Sequence, residues 1–97
     1  MLTVSEIKSK ISPICQKYGV NRAYLFGSYA RGEATEHSDI DLHIEKGAIK
    51  NLFQMCGFRE DIISVLGKNV DIVSIMPKNL EFRKNLLEEE ILLYEIQ

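Results

Sequence analysis

Two aspartates, Asp39 and Asp41, stand at alternate positions of the segment DIDLHIE, residues 39–45. The segment alternates apolar and polar residues, which predicts a β-strand with both carboxylates on one face. Their Cα atoms would lie roughly 6.6 Å apart, and paired metal ions in phosphoryl-transfer sites lie about 3.5–4 Å apart. The pair therefore predicts a site for hard divalent cations, and its oxygen ligands favour Mg²⁺ or Mn²⁺ over zinc.

A third acid, Asp71, is the only charged residue in the run VDIVSI, residues 70–75. This run also predicts a strand. If the two predicted strands are neighbours in a sheet, Asp71 can face the same side as Asp39 and Asp41. Three carboxylates crowded on one face repel one another in the absence of a cation. The hypothesis is therefore a metal site that is favourable only when it is occupied.

Gly27 and Ser28 follow a short predicted strand and precede a predicted helical turn. Gly27 has no Cβ, so a ligand can approach its backbone closely. Free N–H groups at the start of the turn and the Ser28 hydroxyl are donors for phosphate oxygens. Arg31, one turn later, could reach a phosphate, or it could pair with Glu33 or Glu36 on the surface. Phosphate donors beside a cation site indicate a nucleoside triphosphate with Mg²⁺ as the ligand.

The segment GSYARGEATEHSDIDL, residues 27–42, resembles the signature of the polymerase-β-like nucleotidyltransferase superfamily. That signature has Gly-Ser, a gap, Asp-x-Asp before an apolar residue, and a third acid on a later strand. In this chain residues 29–38 form a gap of ten residues, and Asp71 supplies the later acid. Length and spacing are most similar to the minimal nucleotidyltransferases, and the resemblance extends over nearly the whole chain.

The resemblance implies transfer of AMP from ATP, with release of pyrophosphate, to a tyrosine of a partner protein. Minimal nucleotidyltransferases commonly act as antitoxins beside a helical HEPN toxin, so the implied partner is such a toxin. Gly27 and Ser28 would bind the triphosphate, and Arg31 would assist them. Asp39 and Asp41 would ligate two Mg²⁺ ions, with Mn²⁺ as the alternative ion. Asp71 would ligate the catalytic metal and could accept the proton of the attacking hydroxyl.

Two other functions stay open at this point. The chain could be an antitoxin that neutralises its partner by contact, with a vestigial or nucleotide-sensing site. It could also transfer the nucleotide to RNA or to a small-molecule hydroxyl. An acidic balance, with a formal net charge of −2, makes RNA the less attractive acceptor. A small acceptor would need an enclosed pocket, which a chain of 97 residues can scarcely form alone.

The elements that must position these residues follow from the hydrophobic pattern, and the length suits one domain, residues 1–97. Helices alternate with strands that are joined by connections longer than hairpins, which predicts an α/β (α+β) fold. We expect a small mixed sheet of three or four strands flanked by helices, the fold of the polymerase-β-like nucleotidyltransferases. The predicted helices cover residues 3–18, 48–66 and 79–89, and the predicted strands cover residues 22–26, 39–45 and 70–75. Residues 91–95 could extend the last helix or form a fourth strand, and we favour the strand.

Several predictions about single residues can be tested against the structure. Pro13 should kink the first helix or make it restart with Ser12 as a cap. His43 shares a face with the acids, and we favour a partly buried strand residue with one hydrogen bond. We expect the three methionines and two cysteines to lie in the core, with both thiols reduced. The expected core positions of the second helix are Ile49, Leu52, Phe53, Cys56, Ile63 and Leu66.

Composition limits the class of protein. A chain that is 45% hydrophobic and 27% charged is an ordinary globular domain. No apolar run approaches the ~20 residues that span a bilayer. The segment MLTVSEIKSK at the start lacks the basic and apolar blocks of a signal peptide. We therefore expect a cytoplasmic protein with neither a membrane nor a nucleic acid as its partner; a homo-oligomer stays open.

Overall fold

The computed structural model describes residues 1–74, 84 and 88–96. Within them three helices and four strands are formed. The helices are α1 (Val4–Tyr18), α2 (Gly27–Arg31) and α3 (Leu52–Leu66), and the strands are β1 (Arg22–Phe26), β2 (Ile40–Glu45), β3 (Val70–Val73) and β4 (Ile91–Glu95). The predicted α/β fold with a small mixed sheet is confirmed, and β1 and β4 have the bounds that the sequence predicted.

The four strands form one sheet in the order β3-β2-β1-β4. β1 pairs antiparallel with both β2 and β4, whereas β2 and β3 are parallel. A parallel pair needs a long crossover connection, and α3 lies in the chain between these two strands. This crossover makes β2 and β3 neighbours, which is the condition that the predicted three-acid site required.

One face of the sheet forms the hydrophobic core with α1 and α3. The period of two along β2 turns Ile40, Leu42 and Ile44 to this face, where all three are fully buried. They belong to one cluster with apolar side chains of both helices, including Ile7 and Phe58. The opposite residues of each strand point to the second face, which is where the polar side chains gather.

α1 is one helix from Val4 to Tyr18, although Pro13 predicts a kink or a restart within it. Its ends are fixed by a capping box between Thr3 and Glu6 and by Gly19 in the left-handed conformation. Pro13 lies inside an uninterrupted helix, so the predicted restart at Ser12 is wrong. Pro13 is exposed, so its ring faces water.

α3 begins later than predicted, at Leu52 with Asn51 as its N-cap. Leu52 and Phe53 were predicted to be core residues, and this is wrong: they are 76% and 91% exposed. The buried face is instead formed by Phe58, Ile62 and Leu66. Apolar residues surround the first turns of the helix, so the pattern alone could not identify the face that meets the sheet.

The cysteine and methionine predictions hold in part. Cys15 is buried, and burial raises the pKa of its thiol to about 12. Cys56 is exposed, so the prediction that both thiols lie in the core is wrong for this residue. Met1 is also exposed, at 75%, because it precedes the first capped turn of α1. Met55 packs against the core as expected, and Met76 lies outside the described residues.

Most of the predicted third helix, residues 79–89, lies outside the described residues, as does the last residue of the predicted strand 70–75. Residues 84, 88 and 89 are helical. Among the helices of the described part of the chain, none is both long and apolar enough to cross a bilayer.

Candidate active site

The second face of the sheet brings two of the predicted acids, Asp41 and Asp71, together. In the parallel ladder Asp41 of β2 is paired with Asp71 of β3, so the two carboxylates leave the same face side by side. Asp39 lies one residue before β2 begins. Asp41 is half-buried, whereas Asp39 and Asp71 are exposed. We call these three residues the acid cluster.

Electrostatics within the acid cluster favour a cation. The pKa of Asp41 is raised, first by burial and then by the negative charges of Asp71 and Asp39. Crowded carboxylates of this kind resist ionisation until a positive charge neutralises them. Oxygen ligands of this type fit Mg²⁺ or Mn²⁺. In the described part of the chain, however, no three Asp, Glu, His or Cys side chains already stand in the arrangement of a metal site.

Gly27 connects the acid cluster to the segment that precedes it. β1 ends at Phe26, which is paired with Asp41, so Gly27 follows directly beside the half-buried carboxylate. Its φ angle is +73°, and an added Cβ would lie 3.1 Å from Cγ of Asp41 and closer still to one carboxylate oxygen. Only glycine fits this conformation and this contact. The backbone of Gly27 and the acid cluster therefore form one continuous surface.

Ser28 and Arg31 lie on α2, the single helical turn that follows. Tyr29 of the same turn is buried in the core and fixes α2 against the sheet. The Arg31 side chain is 44% exposed, and its Nε donates to Oε2 of Glu33 at 3.0 Å. Pairing with Glu33 is one of the alternatives that the sequence predicts for Arg31. Its Nη1 lies 3.3 Å from Oε2 of Glu89. We call Gly27 and Ser28 the glycine–serine turn.

His43 lies on the same face, two residues beyond Asp41. It is 5% exposed, and its ring stacks on Tyr24 with 5.6 Å between ring centroids. Its Nδ1 lies 3.0 Å from Oε2 of Glu90, where a ring N–H donates to the carboxylate. The predicted strand residue with one hydrogen bond is confirmed, although His43 is buried rather than partly buried. The contact also ties residue 90, which directly precedes β4, to the centre of the sheet.

Glu89 and Glu90 contact this region, and the sequence did not indicate either of them. The run LEEEI, residues 87–91, is typical of a solvated helix end. In the structure Gly27 N–H donates to Oε1 of Glu89 at 3.3 Å. The two residues are 62 positions apart, and no local pattern relates them. The acidic run following a predicted phosphate site is the one signal that could have suggested the contact.

Two members of the acid cluster are accessible to solvent. Asp39 and Asp71 are exposed, and a groove of about 680 Å³ elsewhere, between α1 and β4, contains none of the acids and no residue of the glycine–serine turn. A large molecule can therefore reach these two carboxylates from the solvent.

Stability of the metal-free protein should report the crowding at Asp41. Because the fold raises the pKa of this carboxyl, its ionisation costs the folded state stability. This cost is absent below the unfolded value of about 3.9 and grows as the pH rises through the higher folded value. We expect Asp41→Asn to raise the Tm in EDTA at about pH 7, because the substitution removes a charge that the fold disfavours.

The same substitution should change the Tm little at about pH 3, where most Asp41 is protonated in both states. Thermal melts of the two proteins at both pH values provide the measurement. A lower Tm of Asp41→Asn at neutral pH would contradict the crowding.

Comparison with known proteins places this arrangement in a sequence family. The family described as "Polymerase beta, Nucleotidyltransferase" matches residues 9–97. The chain is 48% identical to a Methanocaldococcus jannaschii protein that is named a putative protein adenylyltransferase. The match covers 69% of this chain and 72% of the relative. It is 35% identical, over the same shares, to the protein adenylyltransferase MntA of Thermococcus cleftensis.

Solved structures share the fold. A structure assigned as a minimal nucleotidyltransferase matches 93% of this chain and 95% of its own, with a TM-score of 0.75 and 30% identity. A chain from a toxin–antitoxin structure with AMP-PNP matches over 93% of this chain and 74% of its own length, with a TM-score of 0.73 and 22% identity. A chain from the structure of a tri-AMPylated Shewanella oneidensis HEPN toxin in complex with an MNT antitoxin matches over 98% of this chain and 75% of its own length. The TM-score is 0.68 and the identity is 18%.

Proposed function

Because the chain belongs to the polymerase-β nucleotidyltransferase family, we propose that it transfers AMP from ATP to a tyrosine of a HEPN toxin and so acts as its antitoxin. The observation that supports this most is the contact between Gly27 and Asp41, with Asp41 paired to Asp71. Phosphate donors and metal-type ligands thus lie on one surface. We propose that the whole chain, residues 1–97, serves as one minimal nucleotidyltransferase domain.

The glycine–serine turn would hold the triphosphate. The N–H of Gly27 and the hydroxyl of Ser28 are donors beside the acid cluster, and Arg31 adds a guanidinium 44% exposed to solvent. The absence of a Cβ at Gly27 lets phosphate oxygens come close to the backbone. These groups would orient the nucleotide so that its α-phosphate lies towards the acids.

The acid cluster would hold the metal ions. Asp39 and Asp41 would bind two Mg²⁺ ions, and Asp71 would bind the ion nearer the acceptor. When bound, Mg²⁺ would stabilise the negative charge on the transferred phosphoryl group and on the leaving pyrophosphate. Mn²⁺ has the same ligand preference and would substitute. The raised pKa of Asp41 and the oxygen-only ligands fit this occupation.

In the reaction a bond would form between the tyrosine oxygen and the α-phosphorus of ATP. The bond from the α-phosphorus to the oxygen bridging to the β-phosphate would break, and pyrophosphate would leave. Asp71 would accept the proton of the tyrosine hydroxyl. It is suited to this role because it is exposed at the open side of the site, where an acceptor can reach it.

A macromolecular acceptor fits the open site better than a small one. Small-molecule sites are usually concave and enclosed, whereas Asp39 and Asp71 are both exposed. The two relatives named for protein adenylylation support a protein acceptor. The AMPylated HEPN toxin bound to an MNT antitoxin of the same fold supports a HEPN toxin as that protein.

The direct test is transfer of label from ATP carrying ³²P in its α-phosphate. The chain is incubated with Mg²⁺ and the purified HEPN protein encoded by its genomic neighbour, and the modified residue is located by mass spectrometry. We expect AMP on a tyrosine and none when Mg²⁺ is removed with EDTA. Label that appears only on RNA or on a small molecule would contradict the proposal.

A second arm separates catalysis from neutralisation by contact. The double variant Asp39→Asn, Asp41→Asn is tested for relief of toxin activity beside the unchanged chain. We expect the variant to lose the relief, because neutralisation depends on AMP transfer. Full relief by the variant would show that contact alone neutralises the toxin and would contradict an antitoxin that acts as an enzyme.

A further inference from the structure

One carboxylate of the chain already occupies the donors that we assign to the triphosphate. Oε1 of Glu89 accepts from the N–H of Gly27 at 3.3 Å, and Oε2 lies 3.3 Å from Nη1 of Arg31. The Glu89 side chain is 27% exposed. Two oxygens of one anionic group that bridge a backbone N–H and a guanidinium make the contacts that two oxygens of a phosphate would make.

The position of Glu89 is fixed by the residues that follow it in the chain. The next residue, Glu90, is held by His43 at 3.0 Å, and both side chains of that pair are less than 10% exposed. β4 begins immediately afterwards, at Ile91. An exposed ion pair between two long side chains contributes little because both must be ordered. Here the buried neighbour and the strand have already ordered the backbone of Glu89.

We propose that Glu89 competes with the nucleotide for the glycine–serine turn and Arg31, so that ATP binds by displacing this carboxylate. The inference rests on the proposed function, because it takes the same turn as the triphosphate site. A carboxylate and a triphosphate repel each other and cannot both use one N–H and one guanidinium. Glu89 therefore lowers the affinity for the phosphate chain and leaves the adenosine end unaffected.

The size of the effect follows from the fraction of molecules in which the turn is free. If Glu89 occupies it in about four of five molecules, the apparent Kd for ATP is about five-fold weaker than that of the free turn. Glu89→Gln keeps the size of the side chain and removes its charge, so it should tighten ATP binding about five-fold. It should lower the KM by a similar factor and leave kcat within about two-fold, because Glu89 would not touch the reacting atoms in the nucleotide complex.

Two neighbouring glutamates serve as matched controls. Glu33→Gln removes a negative charge from the same Arg31, at 3.0 Å from its Nε, without freeing the N–H of Gly27. Glu88→Gln removes a charge one residue away, where the exposed side chain lies 4.0 Å from Lys84. Glu33→Gln reports the general effect of lowering negative charge beside Arg31, and Glu88→Gln should change nothing.

The experiment measures Kd by calorimetry for ATP, inorganic triphosphate and adenosine, with no acceptor present. We expect Glu89→Gln to bind ATP and triphosphate about five-fold more tightly than the unchanged chain, Glu33→Gln less than two-fold more tightly, and adenosine equally in all proteins. Equal gains in Glu33→Gln and Glu89→Gln would overturn competition, since general charge would explain them. Unchanged or weaker binding in Glu89→Gln would overturn it as well.

The design separates this inference from the proposed function. ATP that binds neither the unchanged chain nor Glu89→Gln would overturn the nucleotide site itself and the inference with it. ATP that binds the unchanged chain and gains nothing in Glu89→Gln would overturn only the competition. The Tm of each variant is measured alongside, and binding is assayed well below the lowest Tm, so that weaker binding cannot arise from unfolding.

Discussion

Replacing Asp41 with Asn is expected to lower AMP transfer by about a thousand-fold, a larger effect than that of any other substitution proposed. Asp41 is the central member of the acid cluster, paired with Asp71 and in contact with Gly27. Bound metal ions contribute several kcal/mol to the stabilisation of transition-state charge, and each 1.36 kcal/mol is a factor of ten in rate. Loss of about 4 kcal/mol gives the expected factor.

The measurement is the rate of label transfer from ATP under single-turnover conditions, with Asp61→Asn as the control. Asp61 lies on α3 and contacts Tyr18 and Lys17 on α1, away from the acid cluster. The Asp61→Asn variant should transfer label at a rate within about two-fold of that of the unchanged chain. Because Asp41→Asn is expected to raise the Tm, its loss of activity could not be assigned to unfolding. Activity within ten-fold of the unchanged chain would contradict the role of Asp41.

The second large effect is expected at Gly27, where Gly27→Ala should lower transfer by about a hundred-fold or more. The substitution has two costs. A side chain at φ +73° costs roughly 1–2 kcal/mol of backbone strain. The new Cβ also overlaps the Asp41 carboxylate, so the turn or the acid must move. A misplacement of about 1 Å in a catalytic group can cost about a hundred-fold in rate.

Gly32→Ala separates these two costs. Gly32 has the same φ of +73°, but an added Cβ meets no atom within 4 Å. We expect both variants to lose roughly 1–2 kcal/mol of unfolding free energy through strain, measured by urea denaturation. Only Gly27→Ala should lose transfer activity beyond about two-fold after both are assayed well below their Tm. Equal activities of the two variants would show that the contact between Gly27 and Asp41 is irrelevant to catalysis.

The strands and the residues that they turn towards the core could be predicted closely from the sequence. Burial on one side imposes a period of two, and β2 shows it at Ile40, Leu42 and Ile44. The same alternation predicts that Asp41 and His43 point to the opposite face, and both lie there. The acid cluster follows from this period once β2 and β3 are neighbours, which the crossover through α3 makes them.

Features that depend on distant packing could not be predicted. Leu52 and Phe53 have the apolar side chains of core residues, yet α3 buries the face that carries Phe58, Ile62 and Leu66. Glu89 belongs to a run typical of a solvated helix end, yet it contacts Gly27 across 62 positions of the chain. The periodicity of a segment predicts which face of that one helix or strand is apolar. The exposure of Leu52 and Phe53 and the contact of Glu89 depend on how different elements pack together.

A crystal structure of the chain with Mn²⁺ and a non-hydrolysable ATP analogue tests the central claim most directly, because the anomalous signal of manganese locates the ions. We predict ions at about 2.0–2.2 Å from carboxylate oxygens of Asp39, Asp41 and Asp71, a little beyond the distances of Mg²⁺. The triphosphate should contact the N–H of Gly27 and the hydroxyl of Ser28. Manganese bound away from these acids, or a triphosphate bound away from the glycine–serine turn, would contradict the account.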